Sequence, residues 1–391
     1  KAKSTSDKPW LDQFRGYLAK ENQQLYRNTK EISSAQAAQI IYQGQNQLML
    51  AFNDYLGLID HPEVKEAAKE AINIYGVGSG GSRLTTGTLP LHNQLETALA
   101  SFKHTEKALI FNTGYMANVG IISALGIKDS IIFSDELNHA SIIDAVVLAM
   151  QNRGNKHNDM KDLAEKLQEH AGCQGLIVTD AVFSMGGDIA PARYYGPGGT
   201  ISCTYYGRRS SRHRRDWSHR PRNCGAFWLK RQPDVLMGTL SKALAAEGGY
   251  VCGSQLLIDY LRNTARSYIF STSLSPAVLA AAQALELLEN HPSMVHQLQE
   301  ITRIFCKTLQ QEGIEASDTA IVPIVLHDEE LALHAAEELN RQNIFISPIR
   351  YPTVPKGQAM LRAALMATHT PKELCQAAHT IGQTISRLTD N

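Results

Sequence analysis

Short apolar runs, separated by turns rich in glycine and hydroxyl side chains, recur through most of the chain. Residues 48–52, 108–111, 131–133, 176–178, 235–237 and 250–252 have the length and composition of buried strands. Helical stretches lie between them. Residues 9–30 read as a helix rich in Gln, Glu, Lys and Tyr, and His61-Pro62 opens another that runs to about Tyr75. Leu91, Leu95, Leu99 and Phe102 recur at helical spacing, and further helices are predicted up to Leu125 and from Ser141 to Met150. Gly76–Arg83 is a glycine run that fits neither helix nor strand. Strands alternating with helices predict an α/β fold with a mostly parallel sheet covered on both faces. In such sheets the loops at the C-terminal ends of the strands build the site. From about Leu285 the pattern changes to long helices with strands at 320–326, 344–346 and 360–366, an α+β arrangement. The expected division is an N-terminal segment 1–50, a large domain 51–285 and a C-terminal domain 286–391.

Composition narrows the function classes. The 391 residues carry 38 basic and 38 acidic side chains, so no global field points to nucleic acid or an anionic membrane. Six cysteines without CxxC spacing argue against a disulfide framework or a metal site and fit a reducing cytoplasm. The polar start and the lack of a long apolar run predict neither a signal peptide nor a transmembrane helix.

The candidate chemistry gathers in the strand-end loops. Asp234–Leu244 is an apolar strand that delivers Lys242 into small, apolar surroundings, with Glu247-Gly-Gly-Tyr250 following. Poor hydration there lowers an amine's pKa, which is what a Schiff-base lysine needs. Alone, a Ser-Lys pair after a strand reads as a surface lysine. Asn112-Thr-Gly-Tyr115 at a helix start offers free N–H groups to a phosphate, and Tyr115 can stack on an aromatic ring. His139, just past a strand end, can cover the other face of such a ring, although a single histidine there can equally be structural. Ser184 and Thr239 can hydrogen-bond ring and phosphate oxygens, or simply cap helices. Together these residues have the layout of a pyridoxal phosphate site.

The same residues carry a family resemblance. Asn53-Asp-Tyr-Leu-Gly57, Gly78-Ser-Gly-Gly-Ser82, Asn138-His-Ala-Ser141, Val182-Phe-Ser-Met185 with Gly187-Asp188, Thr239-Leu-Ser-Lys242, Ser271-Thr-Ser273, Ile349–Pro355 and Leu361-Arg362 occur in the order found in the α-oxoamine synthases. The chain resembles these fold-type-I (aspartate aminotransferase-like) pyridoxal 5'-phosphate enzymes over nearly its whole length. The resemblance implies that Lys242 binds the cofactor covalently and moves the substrate's α-proton, while His139 stacks over the pyridine ring. It implies that Gly114 and Tyr115 hold the phosphate side, Ser184 and Thr239 hydrogen-bond the cofactor, and Thr272 reaches the cofactor phosphate of a neighbouring subunit in a homodimer. It implies that Arg362 pairs with the amino-acid carboxylate, a task suited to its planar fork, with Asn53, Thr353 and, on a poorer local match, Arg27 also on the substrate side. The reaction implied is decarboxylative condensation of an amino acid with an acyl-CoA or acyl-carrier-protein thioester. Gly78–Ser82 and Pro352–Pro355 favour L-alanine and a pimeloyl thioester; family members using glycine or serine are the alternative.

One stretch departs from the family. The electron-sink chemistry requires a carboxylate on the pyridine nitrogen, supplied in the family by a strand reading roughly Met-Val-Asp-Glu-Ala-His between Ser184 and Lys242. Here Arg193–Thr200, Tyr206–Trp217 and Phe227-Trp228 form a basic run without strand or helix periodicity. It is not expected to form a central strand, because each buried guanidinium would need a partner. Reading Tyr206-Gly207-Arg208-Arg209 as TAT GGT AGA CGA and starting one base later gives ATG GTA GAC GA, or Met-Val-Asp followed by Asp or Glu. The same shift permits Ala-His and a family-like continuation up to Trp228. Residues from about 192 to 228 therefore read as one base out of phase, with the missing Asp near Arg208 or Arg209 and its His near Arg212. The alternatives are a divergent insertion, a basic patch for an anion such as CoA, or a non-catalytic homologue.

Overall fold

A computed structural model describes residues 9–20, 28–149, 152–171, 173–191, 200–205, 233–316 and 319–389. The chain begins with α1 (Pro9–Lys20), β1 (Gln39–Tyr42), β2 (Gln45–Met49), α2 (Pro62–Tyr75) and α3 (Pro90–Lys103). It continues through β3 (Lys107–Phe111), α4 (Gly114–Leu125), β4 (Ser130–Asp135), α5 (Ala140–Leu148), β5 (Asn152–Asn155), α6 (Met160–Glu169) and β6 (Gln174–Asp180). Next come β7 (Thr200–Tyr205), β8 (Val235–Thr239), β9 (Gly249–Gly253), α7 (Gln255–Thr264), α8 (Arg266–Ile269) and a 3-10 turn, Pro276–Ala280. The chain closes with α9 (Ala281–Asn290), α10 (Ser293–Gln311), β10 (Ile321–His327), α11 (Glu329–Arg341), β11 (Ile344–Phe345), β12 (Ser347–Ile349), β13 (Ala359–Ala364) and α12 (Pro371–Thr389).

Seven strands form the main sheet in the order β3-β9-β8-β7-β6-β4-β5. β8, β7, β6, β4 and β5 run parallel, and β9 alone is reversed, pairing antiparallel with both β8 and β3. Every forward strand therefore ends at the same edge of the sheet. The register aligns Phe111, Gly249 and Thr239 along that edge. Apolar clusters cover the faces. Leu95, Leu99 and Phe102 of α3 pack with Ile110, Leu236 and Tyr250, and Ile121 of α4 packs with Val235 and Val251.

Two findings revise the sequence reading. β7 lies centrally in the sheet, between β6 and β8, although the region around it was not expected to provide a central strand. The physical reason is local. Thr-Ile-Ser-Cys-Thr-Tyr is uncharged and rich in β-branched residues, while the arginines that ruled out a strand flank it. The out-of-phase positions for the missing Asp and His, near Arg208, Arg209 and Arg212, lie outside the described residues. Of the predicted helix over 9–30, residues 9–20 are helical and residues 28–30 are not, while residues 21–27, Arg27 among them, lie outside the described residues.

The C-terminal region contains a sheet ordered β10-β13-β12 and a second ordered β1-β2-β11. β1 and β2 form a hairpin through Gln43 and Gly44, both with positive φ (50° and 76°). That is the two-residue turn whose twist matches the flanking strands. β2 then pairs in parallel with β11, so the beginning of the chain packs on its end. Leu50, Phe305, Leu339, Leu361 and Ile381 share one core there.

Candidate active site

The loops after β3, β4, β6 and β8 meet at the common strand edge. After β3, Thr113 caps α4 by accepting the Met116 N–H, and Gly114 is the first helical residue. A Cβ on Gly114 would stand 2.4 Å from the Thr239 methyl, so only glycine lets this helix start pack against the end of β8. Gly249 fills the level between them; a side chain there would meet the Thr113 carbonyl at 2.6 Å. The Glu247–Tyr250 glycines thus bring the helix N-terminus, an anion-attracting end, down beside Thr239. Tyr115 is 49% exposed and donates its hydroxyl to Asp144 at 2.5 Å.

His139 caps α5 from the loop after β4. Its backbone N–H donates to Asp180 Oδ2 at 2.8 Å, and Asn138 ties the same loop to β6 through the Val178 carbonyl and the Asp180 N–H. Asn118 donates to Ser141 Oγ, which lies 2.8 Å from His139 Nδ1, and Nδ1 also accepts the Ser141 N–H. These contacts make Nδ1 the acceptor and place the ring proton on Nε2. Burial lowers the His139 pKa, the nearby Lys242 charge lowers it further, and Asp144 offsets part of this. The lowered pKa favours the neutral imidazole, and the Ser141 contacts hold the ring in one orientation. Lys242 is half-buried in the turn after β8, and its charge is felt at His139.

Ser184 Oγ and Thr239 Oγ1 are buried and have no hydrogen-bond partner among the described residues. Leaving a buried hydroxyl unsatisfied costs about 1–3 kcal/mol. Two such hydroxyls in the strand-end loops, Thr239 against the start of α4 and Ser184 in the loop that meets Arg362, fit a polar group such as pyridoxal phosphate, whose oxygens would engage both.

A second group of residues comes from the small sheet. Arg362, 7% exposed, sits on the central strand β13, opposite Pro323 and Ser347. Its Nε donates to the Ser184 carbonyl at 2.7 Å and its Nη2 to Asn53 Oδ1 at 3.2 Å. The structure thus joins Asn53, Ser184 and Arg362 directly. Gly187, at φ +67°, allows the Ser184 loop to rest on β10, since a Cβ would lie 2.4 Å from the Ile321 carbonyl. Thr353 is exposed in the turn between β12 and β13, its N–H bonded to the Arg350 carbonyl. Thr272 is exposed and bridges to Ser82, and its carbonyl accepts Asn112 Nδ2 at 2.6 Å. Ser273 locks the glycine loop in place through Ser79, Gly87 and Gly81. Sequence reasoning missed Asp180, whose carboxylate sets the His139 backbone; its position closing a buried strand was the available signal.

The family description "Aminotransferase class I and II" matches residues 45–195 and 207–381. The chain belongs to the class I and II aminotransferase family. It is 43% identical over 385 residues to the 8-amino-7-oxononanoate synthase of Citrifermentans bemidjiense, an alignment spanning 93% of this chain and 95% of that protein. Among solved structures it is similar to a serine palmitoyltransferase variant from S. paucimobilis with PLP bound (TM-score 0.89, 28% identity, 97% of this chain and 99% of that one). It is also similar to the 8-amino-7-oxononanoate synthase of Francisella tularensis (TM-score 0.72, 28% identity, 87% and 98%). These comparisons agree with the fold-type-I architecture expected from the sequence.

Proposed function

We propose that this chain is a pyridoxal-phosphate-dependent acyltransferase that condenses L-alanine with a pimeloyl thioester, giving 8-amino-7-oxononanoate, CO2 and the free thiol. The observation that carries the reading is the pair of buried hydroxyls, Ser184 Oγ and Thr239 Oγ1, without partners among the described residues, in strand-end loops of a chain 43% identical to a protein named for that activity. Gly114 and the start of α4 receive the phosphate, and Ser184 and Thr239 donate to the cofactor's oxygens. His139, fixed through Ser141, would cover the ring. When bound, pyridoxal phosphate supplies an electron sink for the carbon attached to the amino group. Lys242 would hold the cofactor, and its Nζ, when free, would take the α-proton of the amino acid. Arg362, steadied by Asn53 and the Ser184 carbonyl, clamps the substrate carboxylate.

The acyl group comes from CoA or a carrier protein, with Arg27 and Thr353 toward the acyl substrate. The exposed Thr272 and glycine loop face the second subunit of a homodimer, and the protein works in the cytoplasm. Among the described residues, no helix is long and apolar enough to cross a membrane. The ring-nitrogen carboxylate is assigned to the out-of-phase reading near Arg208. The arginines there favour one other reading, a non-catalytic homologue that binds the cofactor.

Incubation of the purified protein with pimeloyl-CoA and each of L-alanine, glycine and L-serine separates the readings. Mass spectrometry should find the decarboxylated aminoketone with alanine and at least about tenfold less product with the others. Preference for glycine or serine would move the protein to another branch of the family. No product with any of them would leave the non-catalytic homologue.

A further inference from the structure

One side-chain cluster beside the site is fully built and has no role in the chemistry above. The turn after β5 inserts His157 between two carboxylates: Nδ1 lies 3.0 Å from Asp135 Oδ1 and Nε2 lies 2.6 Å from Asp188 Oδ2. Asp135 is completely buried, and its oxygens also accept the Leu137 and Asn158 N–H groups, each at 2.9 Å. Asn158, at a left-handed φ of 52°, closes the turn and donates Nδ2 to Asp188 at 3.1 Å. The His157 and Phe183 rings meet at right angles, centroid to centroid 4.5 Å.

A neutral imidazole has one N–H and one lone pair. With a carboxylate oxygen at each nitrogen, the neutral ring would point a lone pair at an anion, whereas an imidazolium donates to both. Asn158 Nδ2 is also 3.1 Å from Nε2, but it is equally close to Asp188 and does not remove that repulsion.

The two carboxylates belong to different loops of the site. Asp135 ends β4, just before Asn138 and His139. Asp188 closes the loop that carries Ser184, whose carbonyl holds Arg362 Nε, and Gly187 of that loop rests on β10. His157 therefore links the loop that orients the ring-covering histidine to the loop that anchors the carboxylate-binding arginine.

We propose that His157 is a positioning residue: as an imidazolium it clamps the loop after β4 to the loop after β6, fixing His139 relative to Arg362 and so tuning amino-acid binding. The clause on amino-acid binding rests on the function proposed above; the clamp does not.

Burial pulls the His157 pKa down, but the hydrogen bond and charge of Asp135, followed by those of Asp188, outweigh it and raise the pKa overall. The other charged groups around the turn, among the described residues, include Lys156 and Asp159 within it, Glu136, which accepts the His157 N–H, Asp162, which accepts the Lys156 N–H, and Lys166, which binds Asp162. A raised folded pKa means the clamp is complete below the unfolded histidine value of about 6.5 and is lost as pH rises through the folded value.

The test begins with an NMR titration of the imidazole-labelled apoprotein, the His157 signal being assigned by its loss in His157→Gln. The clamp predicts a midpoint above about 6.5; a midpoint at or below it overturns the clamp. The second measurement is amino-acid affinity of the holoprotein against pH, read from the cofactor's visible spectrum. Wild type should weaken with rising pH through the NMR midpoint, while His157→Gln should bind about tenfold more weakly and lose that dependence. An unchanged affinity and pH profile in the variant overturns the positioning role. Should His157→Gln fail to fold, Asp188→Asn, at a partly exposed position, removes the same bridge and is read by the same two criteria. A wild-type protein that binds no amino acid at any pH overturns the amino-acid clause and the function beneath it, while the NMR titration still decides the clamp.

Discussion

Arg362 commits two of its nitrogens to the protein, Nε to the Ser184 carbonyl and Nη2 to Asn53. Those bonds fix the plane of the guanidinium before any substrate arrives, so less side-chain entropy is lost when a carboxylate binds. Arg362→Lys keeps the charge but loses the planar fork. The expected result is a rise of about 10–100-fold in KM for L-alanine with a smaller change in kcat, measured by steady-state kinetics. An unchanged KM would remove Arg362 from the carboxylate site. At this scale the sequence was informative wherever a motif carried the residue: Lys242, His139, Ser184 and Thr239 all reach the strand edge they were expected to occupy. His157 was not legible, because its role depends on which loops come together across the sheet. No spacing along the chain encodes that contact.

Strands were legible when they were apolar. β3, β4, β6, β8 and β9 fall on predicted apolar runs, with boundaries moved by one to a few residues. β1 and β5 were not, because Gln39-Ile-Ile-Tyr42 is short and Asn152-Arg-Gly-Asn155 is polar; their hydrogen-bonded neighbours make them strands. The joint between β2 and the segment after β13 carries a consequence for stability. His369 is 1% exposed, accepts the Met366 N–H at Nδ1 and donates from Nε2 to the Met49 carbonyl. Burial is the main reason its pKa falls to about 4. The unfolded chain therefore binds a proton near pH 6.5 that the folded chain refuses until about pH 4. The stability linked to this group is complete above the upper value and is lost as pH falls through the window, by up to about 1.4 kcal/mol per pH unit. Thermal melts should show Tm falling from pH 6.5 toward pH 4, with part of that slope absent in His369→Gln. Equal slopes would assign the acid sensitivity to other groups, of which His92, also lowered to about 4, is the first to examine.

Across the whole molecule, strand–helix alternation was enough to predict the fold class, because a parallel sheet needs a crossover after each strand. The partnership of β2 with β11 could not be read, since it joins segments nearly three hundred residues apart. The stretch between Ser184 and Lys242 is where family pattern and printed residues part. The sheet has its strand there, β7, while the carboxylate expected at its end falls outside the described residues. The function proposed for this protein depends on a cofactor held by Lys242. The most direct measurement is a peptide mass map of the purified protein after borohydride reduction. The expected result is a phosphopyridoxyl mass on the peptide containing Lys242, together with a Val-Asp-Glu-Ala-His sequence between residues 190 and 232. A different modified lysine, or none, would contradict the account; Lys242 modified beside the arginine run as printed would leave a cofactor-binding scaffold without its ring-nitrogen carboxylate.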